Sequence, residues 1–351
     1  MEPFVYDALP GRIIFGNGSR RNVLEEVQRL GVDRILLIAG GHDLDRANEI
    51  VDYLGNYCVA LFTDVAQHVP VQQANQARLL ATEMGATATV TLGGGSATGF
   101  GKAISLSHGL PQICIPTTYA GSELTPIWGL TNGDTKETGR DIGVLPKVVI
   151  YDPELTLSLP ICIAGPSAMN AFAHAVEGLY GPGANPVMTS VAFESIRVLS
   201  MHLPRMVDQP GDLVERSEVL YGAYLAGTVL AVVGTSLHHK ICHVLGGLYG
   251  LDHGQMNAVV LPHALRFNAP AILPVYNRLC KVLGGDAATR IYDLASRLGT
   301  PHDLNSIGFP DDGPHIAAPL VAKAAQNNVR PISSEQAEEL LQICAEGRRP
   351  E

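Results

Sequence analysis

Four histidines fall within the stretch HHKICHVLGGLYGLDH, residues 238–253. His239 and His243 are four apart, so on a helix they project from one face. Glycines at 246, 247 and 250 then end or bend that helix, which lets His253 return to the same cavity ahead of Gly254 and a new helix. Upstream, SAMNAFAH (167–174) sets Asn170 and His174 four apart in the same way. Two such helix pairs facing one cavity gather four nitrogen or oxygen groups. That set suits a metal ion, and it equally suits a proton-handling pocket with no metal. Plainer readings exist for each residue alone: His174 as a satisfied core histidine, His238 facing solvent or neighbouring helices, Ser167 as the N-cap of a helix that Asn170 braces. Convergence weighs against them, because three histidines at ligand-like spacing are costly to bury without a use.

A second set of residues lies in the first half. TLGGGSATGFGK (91–102) follows an apolar run and opens a helical pattern. Gly93, Gly94, Gly95 and Ser96 would let backbone N–H groups approach a pyrophosphate at a helix N-terminus, although a tight strand-to-helix turn also selects glycine. The loop IPTTYAGSELTP (115–126) adds hydroxyls at Thr117, Thr118, Ser122 and Thr125. Gly40 and Gly41 end the earlier run RILLIA and complete the cofactor-binding group. The sequence GGHD there puts no acidic residue directly at the strand end to hold a ribose 2′-hydroxyl, so NADPH stands open beside NADH, with His42 read as a turn residue.

These loops need a sheet to carry them. RILLIAG (34–40), YCVALFTDV (57–65), TATVTLGGGS (87–96), QICIPTT (112–118) and KVVIYD (147–152) read as strands alternating with helical stretches at 71–85 and 97–109. That alternation predicts a largely parallel sheet covered on both faces. A connector with prolines at 153, 160 and 166 follows, and beyond it nearly everything reads as helix. The expected organisation is an α/β dinucleotide-binding domain over residues 1–160 and an all-helical catalytic domain over 161–351.

The 351 residues, 46% hydrophobic and 17% charged, describe a well-cored globule. With 24 Lys+Arg against 34 Asp+Glu and no basic tract, nucleic acid is not an expected partner. No run reaches the roughly 18 apolar residues of a membrane helix. MEPFVYDALPGR lacks the basic and apolar regions of a secretory leader, and the six cysteines form no CxxC pair, so a cytoplasmic protein with reduced thiols is expected.

Taken together, GRIIFGNGS, LGGGSATGFGKAI, IPTTYAGSELT, YDPELTLSLP, the Asn170/His174 pair and HHKICHVLGGLYGLDHGQMNAVVLPH resemble the iron-containing (group III) alcohol dehydrogenases along nearly the whole chain. Within that superfamily, IPTTYAGSELTPIWGLTNGDTKETGRD and NAFAHAVEGLY look most like the maleylacetate reductase branch. The resemblance implies a dehydroquinate synthase-like fold, with the active site in the cleft between domains. In metal-dependent members an aspartate and three histidines hold the ion, at positions matching Asn170, His174, His239 and His253, with His243 as a nearby catalytic histidine. Asn170 departs from that pattern, as does Gly99, where the glycine loop usually carries an acidic residue. A neutral amide forfeits the charge that offsets a dication, so no metal is expected. The implied reaction is NADH- or NADPH-dependent reduction of the conjugated C=C bond of maleylacetate, a small dicarboxylate. Histidine N–H groups would stabilise the enolate oxygen and supply a proton. Lys240 would meet a carboxylate. Lys136 is placed with the cofactor group and, with Arg140, as a further carboxylate partner. A homodimer is implied. The rival readings are a metal-dependent alcohol or polyol dehydrogenase in which Asn170 still ligates, a metal-dependent lyase similar to dehydroquinate synthase, and a binding protein without turnover.

Overall fold

The computed structural model describes residues 4–9, 11–133 and 135–350. Four residues of the stretch read for a leader (1–3 and 10), and one residue of NGDTKETGR, lie outside them. The chain divides into two compact units, one spanning Leu9–Leu159 and the other running from Pro160 together with the N-terminal residues up to Ala8.

In the first unit the elements run β1 (Arg12–Phe15), α1 (Val23–Leu30), β2 (Ile35–Ala39), α2 (Leu44–Leu54), β3 (Cys58–Phe62), α3 (Val71–Glu83), β4 (Ala88–Gly93), α4 (Gly95–His108), β5 (Gln112–Pro116), β6 (Ile127–Asn132), β7 (Thr135–Arg140) and β8 (Val148–Tyr151). Six strands form one sheet in the order β1-β8-β5-β4-β2-β3, with every neighbouring pair parallel. The interior strands β2, β4, β5 and β8 are buried at every position, which is why they read as unbroken apolar runs. Alternation still sorts their side chains. Ile35, Leu37 and Ala39 pack with Val27 of α1 and Ile50 of α2, whereas Leu36 and Ile38 pack with Ala77 of α3 and Phe100 of α4. The sheet is therefore covered on both faces, as the alternation predicts.

Two features escaped the sequence pattern. Strand β1 is a short edge strand beside β8, half-exposed and without a clear apolar alternation. The stretch holding Lys136 and Arg140, read from sequence as a loop, is an antiparallel hairpin, with Ile127 opposite Arg140 and Thr131 opposite Lys136. Its second strand, TKETGR, is exposed at nearly every position and so carries no hydrophobic signature.

The second unit is helical: α5 (Ile161–Glu177), α6 (Pro186–Asp208), α7 (Leu213–Val233), α8 (Leu237–Tyr249), α9 (His253–Asn268), α10 (Leu273–Leu283), α11 (Ala287–Arg297), α12 (Gly313–Ala324) and α13 (Ser334–Glu346). No single helix among the described residues is long and apolar enough to cross a membrane. Helix α5 corrects the expected connector. It begins at Ile161, caps on Pro160 and takes Pro166 into its interior, so Ser167 lies inside the helix and is not its N-cap. Proline there removes one N–H, and the carbonyl it would have bonded belongs to the exposed Cys162, which water can serve. Helix α8 likewise runs straight through Gly246 and Gly247 and stops only at Gly250, which takes the left-handed conformation (φ +64°) that glycine adopts without strain.

Candidate active site

The four histidines and Asn170 converge within the helical unit. Asn170 and His174 project from α5, His239 and His243 from α8, and His253 opens α9, where Asp252 caps the helix by accepting from Gln255 N. The rings form a chain: His174 stacks on His239 at 4.7 Å between centroids, His239 meets His243 edge-on at 6.2 Å, and His243 stacks on His253 at 6.2 Å. His174 and His239 are buried, while His243 and His253 are exposed. The chain thus runs from a dry floor to a wet rim. Close approach of α9 to α5 needs Gly254, since a Cβ there would lie 2.9 Å from Pro166 Cβ.

Two residues that sequence reasoning missed hold this cluster. Glu177 is fully buried and accepts from Ser236 N (2.8 Å), His238 N (2.7 Å) and His239 Nδ1 (2.7 Å). Asn257, also fully buried, donates through Nδ2 to Asn170 Oδ1 (2.8 Å), and its carbonyl accepts from His238 Nε2 (3.0 Å). Helical spacing was the available signal: Glu177 lies three after His174, and Asn257 four after His253. Of the two settings expected for His238, solvent is overturned and a neighbouring helix is found: it is fully buried against α9 through Asn257, with its Nδ1 3.1 Å from His239 Nδ1.

These partners fix the tautomers. With Nε2–H donated to Asn257, His238 keeps a lone pair on Nδ1. His239 carries its proton on Nδ1, directed to Glu177, so the neutral ring presents a bare Nε2. That nitrogen and His174 Nδ1 are buried without a partner. Burial, reinforced by the neighbouring histidines, holds His174 and His239 well below the ordinary histidine range and pushes His238 down to about 3. Burial also raises the Glu177 carboxyl, against the pull of His238 and three donors. These shifts favour the neutral form of His174, His238 and His239, and Glu177 is the carboxyl group placed to balance any proton that His239 takes up.

The same geometry tests the site for a metal. Glu177, His238 and His239 place ligand-type atoms close together, but the oxygens of Glu177 are committed to three N–H donors and both nitrogens of His238 already have partners. Of the four groups matching the family ligands, Asn170 is a neutral amide whose oxygen accepts from Asn257, and the other three are imidazoles. This donor set contributes no negative charge of its own to offset a dication, and the nearest carboxylate, Glu177, is already engaged by three N–H donors. No step is derived through a metal.

Lys240 follows His239 on α8 and is half-buried; its charge adds to the pressure keeping His239 neutral. Lys136 and Arg140 are exposed on β7, which belongs to the other unit.

The dinucleotide-type residues lie together in the first unit. Strands β5, β4 and β2 are neighbours, so Thr117 and Gly40 follow, and Gly93 forms, their adjacent carboxyl ends. Gly94 caps α4 with no side chain serving its first N–H groups, the arrangement that accepts an anion. Ser96 is in the first turn of α4, and Gly41 opens the short turn after β2. The two loops touch, since a Cβ on Gly94 would lie 3.0 Å from Thr118 Oγ1. Ser122 and Thr125 have a different engagement: their oxygens surround the ammonium of Lys102, at 3.3 and 3.0 Å for the hydroxyls. Gly99 also has a packing cause, because Val69 Cγ2 lies 2.6 Å from where its Cβ would be.

A parallel sheet carrying a glycine loop, followed by a helical unit with a histidine cluster, is the layout of a dinucleotide-type enzyme, and the family matches make it an oxidoreductase. The chain belongs to the iron-containing alcohol dehydrogenase family: residues 10–153 match the model described as "Iron-containing alcohol dehydrogenase", and residues 165–344 match "Fe-containing alcohol dehydrogenase family, C-terminal". Within it, the chain is similar to the maleylacetate reductase of Sphingobium indicum, 46% identical over 99% of each chain, and to that of Burkholderia cepacia, 43% identical over the full length of both. The crystal structure of maleylacetate reductase from Rhizobium sp. superposes with a TM-score of 0.96 at 43% identity, covering all of both chains.

Proposed function

We propose that this chain reduces the conjugated carbon–carbon double bond of maleylacetate, giving 3-oxoadipate in the breakdown of aromatic compounds, with NADH or NADPH as donor and no metal. Full-length similarity to several maleylacetate reductases, at 40–46% identity in the curated relatives, is the observation that carries it. The neutral donor set around Asn170 supports the metal-free part.

The dinucleotide, when bound, supplies the hydride for the alkene carbon. Its pyrophosphate fits the uncapped N–H groups at Gly94–Ser96, beside Thr117 and Thr118. As hydride adds, charge moves to the ketone oxygen as an enolate, which needs donors. His239 in its resting tautomer has none to offer from Nε2. It donates there only as an imidazolium, and Glu177 balances that charge. Entry of a substrate with two carboxylates favours this protonation, and Lys240 meets one of them. The exposed His243 and His253 link the buried pair to solvent, so a proton can be replaced after the product carbon has taken one. The Asn170 oxygen is held by Asn257, which leaves its amide N–H groups as further donors. The same reading makes the protein a cytoplasmic homodimer, for which light scattering in solution is the check on mass.

The deciding experiment follows oxidation of reduced nicotinamide with fresh maleylacetate, using protein stripped by chelator and assayed for bound metal. Turnover by metal-free protein is expected. Activity that returns only with iron or zinc would make Asn170 a working ligand, and oxidation of simple alcohols without reduction of maleylacetate would defeat the substrate assignment.

A further inference from the structure

Lys102 is among the largest fully buried side chains of the chain, 1% exposed on α4, two turns past Gly95. Its ammonium donates to the carbonyls of Ser122 (2.7 Å), Thr125 (2.8 Å) and Ile127 (2.7 Å), and to the hydroxyls of Ser122 (3.3 Å) and Thr125 (3.0 Å). All five acceptors are neutral. Such a cation is costly to bury, and a stem of similar size without charge would pack there more cheaply. The acceptors all belong to one segment, which also presents Thr118 against Gly94 and Ala120 within 3.6 Å of the Cβ position of Gly95.

We propose that Lys102 is a positioning residue for the dinucleotide: by gathering three carbonyls of residues 122–127 it holds the 117–125 loop against the N-terminus of α4, where the pyrophosphate binds. The proposal rests on the cofactor reading above. Its charge also reinforces the helix N-terminus, since the two lie on one helix about 10 Å apart along the axis. Around it face Cys114 from β5 and Glu123 from the 122–124 turn, the latter hydrogen-bonded by Tyr151 of β8 (2.7 Å). Arg78 of α3 bonds the neighbouring carbonyl of Ala103 (3.1 Å). Burial pushes the Lys102 ammonium down to about 8, although Cys114 and Glu123 pull the other way. The charged form is the one that gathers the carbonyls, so cofactor affinity should weaken as pH rises through that value.

The test measures dissociation constants for NADH and NADPH by nicotinamide fluorescence in wild type and Lys102→Met, with steady-state kinetics beside them. Binding of both dinucleotides is expected to weaken about tenfold or more in the variant, while kcat at saturating cofactor stays within about twofold. A variant that melts cooperatively and binds both dinucleotides like wild type overturns the proposal. If the variant does not fold, the wild-type pH profile decides: weakening through about pH 8 supports the role, and a flat profile overturns it. Wild-type protein that binds neither dinucleotide would instead defeat the cofactor reading, and this proposal with it.

Discussion

At the scale of single residues, the proposed metal-free chemistry turns on Asn170. Its oxygen accepts from Asn257 Nδ2 at 2.8 Å, and it sits one helical turn from His174. Asn170→Asp would keep that hydrogen bond and add one negative charge beside three histidines. The variant is expected to retain zinc or iron at close to one equivalent, by elemental analysis, where wild type retains little. Its maleylacetate turnover should fall by about 10²-fold, because rings engaged on a metal no longer donate protons. An Asn170→Asp protein without metal would show that geometry, not charge, excludes the ion. His239 carries the second residue-scale lesson: sequence marked it as a functional histidine, but its tautomer follows from Glu177 and His238.

At the scale of elements, the glycine loop is shaped by a neighbouring turn as much as by a ligand. Val69, a β-branched residue, adopts φ +53°, an outlier for its type, and drives Cγ2 to 2.6 Å from the Cβ position of Gly99. The departure at Gly99 is thus coupled to a strained turn between β3 and α3. Gly99→Asp is expected to cost about 1–3 kcal/mol through overpacking. In a Val69→Gly background, where both the clash and the strain are relieved, the same change should cost much less. A double-mutant cycle on denaturant midpoints measures that coupling, and strictly additive losses would disprove it. The strand pattern of this unit was legible because β2, β4, β5 and β8 are buried on both faces. The hairpin of β6 and β7 was not, since most of its side chains face water and carry no period.

At the scale of the whole molecule, the buried histidines tie stability to pH. His174, His238 and His239 are held below the ordinary value by burial, His238 at about 3. An unfolded histidine titrates near 6.5, so below that pH the unfolded chain binds protons that the folded chain refuses. Their contribution is therefore fully present above about pH 6.5 and declines on acidification, by about 1.4 kcal/mol per pH unit for each such histidine. Glu177, raised by burial, acts in the opposite sense, but it is one group against three. Denaturant midpoints followed by far-ultraviolet circular dichroism should fall steadily from about pH 7 to about pH 5. A flat profile there would mean that these rings are charged in the native state.

The sequence alone determined the family, the order of an α/β unit before a helical one, the glycine and hydroxyl loops, and the helical spacing that brings His174, His239, His243 and His253 into one set. The order of units, the loops and the two one-turn pairs follow from local rules: period 2 or 3.6 in apolar residues, glycine where backbones meet, and polar groups four apart. The family, and with it the joining of His174 to the other three histidines, follows from the motif resemblance. Only the tertiary structure decided what those residues do to one another. Glu177, Asn257 and His238 enter the site through contacts up to 87 positions apart in the chain, and Lys102 serves a loop beyond its own helix. Burial is likewise a property of the packed molecule. It sets which histidines are neutral, which nitrogen carries the proton and which lysine must be clamped, and no spacing along the chain encodes it.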